Sequence, residues 1–177
     1  DVNAGTLGFS ASVASMNLVT LTDTQGTTET TDDVNYLVIE LAEMDASLVG
    51  LESILEFHGF DINLALNQAS HADGVTPVDK LDWSSFTDTS GVSLPALTTT
   101  DAIDLHLDGN VVFSALSLVA GKGSFDITMG QFSGTSNNDI VLSDAQAMVM
   151  SLSGVSLFVG PGTSVEVGAD FAGSDVN

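Results

Sequence analysis

The stretch Tyr36 to Gln68, YLVIELAEMDASLVGLESILEFHGFDINLALNQ, decides the fold because its apolar side chains recur without a proline to interrupt them. The apolar residues of its second half alternate with polar ones: Leu55 and Phe57, then Phe60, Ile62, Leu64 and Leu66. The apolar parity changes by one residue at His58-Gly59. Because neighbouring side chains of a strand point to opposite faces, an extra residue must be absorbed there, and glycine tolerates the backbone angles needed. The pattern predicts a strand with a β-bulge at His58-Gly59 and one apolar face.

The first half of the stretch is open to two interpretations. Leucine and methionine recur there at spacings of four and three, which is typical of a helix: Leu37, Leu41, Met44, Leu48, Leu51 and Leu55. The interior Gly50 and the β-branched Val38, Ile39 and Val49 disfavour a helix. We therefore predict a strand, and keep as the alternative an α+β fold with a helix near residues 40–55.

The charge balance excludes one class of partner. Lys80 and Lys122 are the only basic residues, and 24 acidic residues give a formal net charge of −22. Nucleic acid is excluded because almost no side chain can neutralise a phosphate, and the same shortage argues against anionic membranes. No apolar run reaches the roughly 18 residues of a membrane-spanning helix, so we expect no membrane insertion.

The composition is that of a folding chain in a salty environment. Only 15% of the residues are charged and 44% are hydrophobic, and 177 residues suffice to bury a core. The mutual repulsion of the carboxylates favours a medium in which cations screen or bridge them. We expect an extracellular or cell-surface location with Ca²⁺ as a structural ion, and a halophilic cell interior as the alternative.

The remaining sequence favours an all-β fold. Strand, polar loop and long strand follow one another in residues 6–70 and again in 102–168, which indicates a pseudo-repeat within one module, residues 1–177. The fold we predict has long antiparallel strands in a two-sheet sandwich or an elongated β-roll. Asp1-Val2-Asn3 recurs as Asp175-Val176-Asn177, which suggests one unit of a tandem array whose ends lie at opposite poles.

An irregular stretch separates the two halves and contains the only tryptophan. Its segment LDWSSF, Leu81 to Phe86, contains both Trp83 and Phe86. Large aromatic side chains are most often buried, so we expect this segment to cap an open end of the core.

Candidate metal ligands come from one strand and from acid-rich turns. Asp104, His106 and Asp108 alternate, so a strand would place all three on one face within reach of one metal ion, although a plain polar strand face gives the same pattern. The turns supply further carboxylates that suit Ca²⁺: Asp23, Glu29, Asp32, Asp33, Asp139, Asp170 and Asp175. We find no G-x-S-x-G, P-loop, H-E-x-x-H or D-x-D-x-D-G motif, and no residue is predicted to be catalytic.

The segments LVTLTDT, DASLVGL, LDWSSF, GNVVFSAL, GKGSFDITMG and GVSLFVG resemble the tandem modules of very large acidic bacterial surface proteins of the giant-adhesin type. The resemblance implies a β-rich extracellular repeat that is structural rather than enzymatic and contacts neighbouring copies, often with calcium. Acidic residues would then guard the sheet edges by repulsion that cations relieve.

Two other function classes stay open. One is a calcium-dependent carbohydrate-binding β-sandwich that uses Trp83 on a surface glycan. The other is a secreted hydrolase from a halophile.

Overall fold

The computed structural model describes residues 7–86 and 91–162, and these ranges fold into six long strands. The strands are β1 (Gly8–Asp23), β2 (Val34–Val49), β3 (Leu55–His71), β4 (Ile103–Ala115), β5 (Val119–Thr135) and β6 (Val141–Val159). Each strand pairs antiparallel with the next, in the order β1-β2-β3-β4-β5-β6. The protein is therefore all-β with long antiparallel strands, as predicted.

Two details of the predicted fold are wrong. The strands form one open sheet rather than a two-sheet sandwich or a roll, because every strand finds its ladder partners in its immediate neighbours along the chain. The alternative helix near residues 40–55 is also wrong, and the described residues contain no helix. Residues 40–49 belong to β2, which ends at Val49; the next residue, Gly50, has φ +89° and opens the turn into β3.

The predicted parity change in β3 is real, but the extra residue lies two positions beyond Gly59. Phe60 pairs with Asn110 and Asn63 with Asp108, so β3 advances three residues while β4 advances two. The left-handed residue of this bulge is Asp61, with φ +51°. Aspartate tolerates this conformation better than most residues, which is why the irregularity need not fall on a glycine.

A second bulge, in β2, lies beside the one in β3. Leu41 pairs with Leu64 and Met44 with Ile62, and Glu43 between them has φ +53°. Both strands thus absorb an extra residue at nearly the same level of the sheet, so the apolar residues on either side of the bulges stay on one face.

Ile62 packs in the space that two glycines leave on this face. A Cβ at Gly59 would lie 2.8 Å from Ile62 Cδ1, and a Cβ at Gly109 would lie 2.8 Å from Ile62 Cγ1. These glycines are required because the bulge lays the isoleucine side chain across the backbone of β3 and β4. Ile62 is buried as a result.

The ladder registers divide the sheet into two faces, since directly opposed residues of antiparallel strands share a face. The apolar face has these residues on β1, β2 and β3: Phe9, Ala11, Val13, Met16, Leu18, Ile39, Leu41, Met44, Ala46, Leu48, Leu55, Phe57, Gly59, Ile62, Leu64 and Leu66. It continues on β4, β5 and β6 with Leu105, Leu107, Gly109, Val111, Phe113, Ala115, Val119, Gly121, Gly123, Phe125, Ile127, Met129, Met148, Met150, Leu152, Val155, Leu157 and Val159. We call the other side the charged face, which carries Glu40, Asp45, Glu56, Asp104, His106, Asp108, Lys122 and Asp126.

The segment that connects β3 to β4 covers part of the charged face and forms a small core there. Trp83 and Leu97 are buried against Val19 and Val38, with Leu21, Tyr36, Leu81 and Leu94 packed around them. Trp83 therefore packs against one face of the sheet, and the expectation that it caps an open end of a core is wrong. A single sheet has no inner space to cap, so the tryptophan supplies cover from one side.

Asn67 fixes this connecting segment to the sheet. Its side-chain Nδ2 donates to the carbonyls of Leu81 (2.9 Å) and Thr100 (3.0 Å), and its Oδ1 accepts the indole N–H of Trp83 at 2.9 Å. Asn67 is only 1% exposed, so no water replaces these bonds. One amide thus satisfies three polar groups of an irregular segment, the buried indole N–H and two part-buried carbonyls.

We predict that Asn67→Ala destabilises the protein by about 2–4 kcal/mol, because the Trp83 N–H and two carbonyls lose their partner in a buried site. Urea unfolding followed by tryptophan fluorescence measures the loss. Asn35→Ala is the matched control, since Asn35 is exposed and its side chain bonds only to the Thr22 hydroxyl among the described contacts. Equal losses for both variants would contradict this role of Asn67.

Candidate functional site

The candidate metal ligands of β4 lie on one face, as predicted, but they do not converge. The Lys80 ammonium forms an ion pair with Asp104 and also donates to the Ile103 carbonyl at 2.9 Å. His106 Nε2 lies 3.8 Å from Asp108 Oδ1 and 3.5 Å from Asp126 Oδ2. β4 therefore presents Asp104, whose charge is neutralised by Lys80, and His106, which lies between Asp108 and Asp126. This arrangement is a row of polar cross-strand contacts rather than a metal site.

The acid-rich turns are organised by their own hydrogen bonds. The Thr27 hydroxyl lies 3.1 Å and 2.9 Å from the two carboxylate oxygens of Asp32, and Asp23 Oδ1 accepts the Gln25 N–H at 2.9 Å. Asp33 has one buried carboxylate oxygen without a hydrogen-bond partner. Glu29 and Asp139 are exposed, and Asp170 and Asp175 lie outside the described residues. Within residues 7–86 and 91–162, no group of three or more His, Asp or Glu side chains is placed to hold a metal ion.

Sequence reasoning missed a polar cluster at the paired bulges. Asn63 Nδ2 donates to Asp108 Oδ2 at 3.0 Å, and Asn63 Oδ1 accepts the Glu43 N–H at 3.2 Å. Asp45 Oδ1 accepts the Asp61 N–H at 3.3 Å. Bulged residues lose their ladder partners, so these side chains replace the missing backbone bonds. The only signal in the sequence was the parity change, which does not say which side chains meet.

Glu40 is the most highly coordinated carboxylate in the described part of the chain. Its Oε1 accepts the N–H groups of Thr98 (2.7 Å) and Thr99 (2.9 Å) and both threonine hydroxyls (3.1 and 2.7 Å). Burial raises the pKa of Glu40, but the four hydrogen bonds to its charged form outweigh burial and hold the pKa below the usual value. Glu40 is thus a second anchor for the connecting segment.

Asp73 organises the turn after β3. Its carboxylate accepts the Thr76 hydroxyl and the N–H groups of Thr76 and Val75, and these bonds hold the pKa of Asp73 well below its usual value. An exposed aspartate that bonds the residues two and three positions later is a turn-forming device.

Ser47 and His58 form a hydroxyl–imidazole contact of 3.0 Å on the charged face. They oppose each other directly in the ladder between β2 and β3. A serine nucleophile also requires donors for the oxyanion and a group that orients the base, which a flat ladder does not arrange. We interpret the contact as a cross-strand hydrogen bond.

Trp83 is unsuited to stacking on a sugar. Its side chain is 3% exposed, and its N–H is bonded to Asn67. A carbohydrate platform needs an open aromatic face, whereas this ring is buried between the connecting segment and the sheet. The aromatic side chain of that segment that does reach solvent is Phe86, which is 44% exposed and lies 6.0 Å from the Trp83 ring.

The outer strands provide the most unusual surface. β1 and β6 carry one acidic residue each, Asp23 and Asp144, although the chain has 24. The acidic residues therefore do not guard the two edges, contrary to the expectation from composition. Large apolar side chains stand exposed on both strands instead: Phe9, Val13, Met16, Leu18, Val141, Leu142, Met148, Val149, Met150, Leu152, Val155, Leu157, Phe158 and Val159.

Comparison of the chain with protein-family models, with curated proteins and with solved structures found no match. In the described ranges, no helix is long and apolar enough to cross a membrane. The function must therefore be argued from the surfaces of the sheet.

We predict that Glu40→Gln lowers stability at pH 7 by about 1 kcal/mol and removes part of its pH dependence. The folded pKa of Glu40 lies below the unfolded value, so its contribution is complete above the unfolded pKa and is lost as pH falls through the folded pKa. Urea unfolding at pH 7 and pH 3 should show the two proteins converging in acid. Glu29→Gln, in an exposed loop, is the control; parallel curves for wild type and Glu40→Gln would refute the assignment.

Proposed function

We propose that this chain is a structural, non-enzymatic repeat module of a large extracellular surface adhesin or fibre, which assembles in series with like modules. The observation that carries the proposal is the segregation of charge: one face of the sheet has no charged residue at a ladder position and each outer strand has one acidic residue, while the other acidic residues of the described ranges occupy the opposite face, the bulges and the loops. Exposed apolar surface of this extent marks a contact surface.

The topology suits a series of modules. The first and last strands are the two edges of the sheet, which lie about 24 Å apart at the usual spacing of 4.8 Å between strands. The sheet has six strands, so β6 runs antiparallel to β1. A following module whose first strand lay beside β6 would continue the same alternation of strand directions. In the part of the chain that the structure describes, the two edge strands contain neither lysine nor proline, and edges of this kind favour pairing with another strand.

A structural role also explains where the polar groups of the described residues are engaged. Glu40, Asn67 and Asp73 hold the connecting segment and its turn, and Asn63 with Asp45 completes the paired bulges. These side chains stabilise backbone rather than converge on a substrate. Calcium enters the proposal as the ion that bridges carboxylates of neighbouring modules, because a net charge of −22 per copy opposes their approach.

A protein with two copies in tandem tests the proposal. We expect small-angle scattering to show an extended, stiff particle with millimolar CaCl₂ and a looser one with chelator, because divalent cations bridge carboxylates that monovalent ions only screen. NaCl at matched ionic strength is the control. A shape indifferent to calcium and chelator would remove the calcium-bridged array, and a compact particle with both copies folded back would remove the serial arrangement.

A further inference from the structure

The apolar face of the sheet has no cover among the described residues. The connecting segment between β3 and β4 packs on the opposite face, against Val19 and Val38. On the apolar face the outer strands remain open, with Phe9 at 72%, Met148 at 69% and Leu157 at 66% exposure. A sheet with one apolar face is stable only when that face is buried against another layer.

No charged residue occupies a ladder position of the apolar face. The charged residues with ladder partners alternate onto the charged face, for example Glu40, Asp108 and Asp126. Glu43 and Asp61 sit in the bulges and have no ladder position. In a chain of net charge −22, this face is thus the one broad surface of the sheet where two acidic copies can meet without burying a carboxylate.

The face is also too large to be covered by the short segments of residues 1–177 that lie outside the described ranges. Six strands at 4.8 Å spacing and about eleven residue steps at 3.3 Å give roughly 29 by 36 Å, or about 1,000 Å². An extended segment of the length of residues 163–177 covers about the width of one strand. A partner that matches the face must itself be a broad apolar sheet.

We propose that the apolar face binds the same face of a second copy of this chain, so that two sheets pack into a sandwich across two molecules. Such an isologous contact buries about 2,000 Å² in total, which lies between standard and obligate interfaces. Leu107, Phe125 and Ile127 lie on its inner strands, and Gly109, Gly121 and Gly123 leave room for the neighbouring side chains of Ile62, Phe113 and Val155. The inference rests on the proposed association between like modules, and it adds a second contact surface, the apolar face, to the sheet edges at which modules in series would pair.

The contact is tested on β6, where exposed side chains of opposite faces alternate. Met150→Lys with Leu152→Lys places two charges on the apolar face, whereas Val149→Lys with Ser151→Lys places two on the charged face. All four residues are exposed in the single sheet, so neither pair should unfold it. Both pairs change the net charge and the edge strand equally.

Sedimentation equilibrium of the 177-residue protein in 0.5 M NaCl, which screens the repulsion between copies, should show a dimer for the wild type and for the charged-face pair. The apolar-face pair should weaken the dimer at least about 100-fold, because it buries unpaired lysines. Urea unfolding confirms that each variant is folded. Should the β6 pair fail to fold, Met16→Lys against Asn17→Lys on β1 repeats the comparison, since these neighbours also point to opposite faces.

Single-cysteine variants locate the contact, because the chain has no native cysteine. A thiol at Leu107→Cys should be protected from maleimide in the dimer, and one at Thr128→Cys on the charged face should react freely. A monomeric wild type at millimolar concentration, or a dimer that both lysine pairs weaken equally, overturns the proposal; the second result indicates edge-to-edge pairing instead. Binding of the wild type to neutral phosphatidylcholine vesicles in place of dimerisation also overturns it.

The two proposals fail in different experiments. A dimer that depends on the apolar face, together with a tandem protein indifferent to calcium, would retain the face-to-face contact and remove the calcium-bridged array. A stiff, calcium-dependent tandem protein whose single copies stay monomeric would retain the calcium-bridged array and remove the face-to-face contact.

Discussion

The strict alternation of side chains across an antiparallel ladder is the constraint on which the rest of this structure depends. Each acidic residue that has a ladder partner shares its face with the others, so charge and apolar surface separate across the thickness of a single sheet. A single error of register would bring carboxylates such as Asp108 to the apolar face. The charged residues thereby help the apolar residues to enforce the register.

The paired bulges show how this constraint is kept where the sequence breaks it. Glu43 and Asp61 each add a residue without a ladder position, and the apolar series resumes on the same face beyond them. The cost is a set of unpaired backbone groups, which Asn63 and Asp45 satisfy. Ile62 then fills the space over Gly59 and Gly109, so that the irregular region gains a buried apolar contact in exchange for lost ladder bonds.

The sequence predicted the class of fold and the parity change, because both are local and periodic. It did not predict the layer arrangement, because alternation says that one face is apolar and does not say which molecule covers it. The predicted bulge fell at Gly59 rather than Asp61, since glycine is the expected left-handed residue, whereas here that conformation is adopted by Asp61, whose N–H is bonded to the Asp45 carboxylate. The candidate site was also predicted only in part. The alternation of Asp104, His106 and Asp108 correctly places them on one face. Periodicity could not predict the ion pair of Asp104 with Lys80, because Lys80 comes from a segment distant in sequence.

The placement of charge also decides which face of the sheet two copies can bring into contact with the smaller electrostatic and desolvation penalty. Two sheets packed through their apolar faces lie about 10 Å apart, so the charged faces point outward and are separated by roughly 20 Å. That distance exceeds the Debye length of about 8 Å at physiological ionic strength, which means that salt screens most of the repulsion between the two acidic layers. Contact through the charged faces would instead bring Asp108 and Asp126 of two copies together at close range and desolvate them. The same segregation that keeps each sheet in register therefore also selects the face through which two copies can meet.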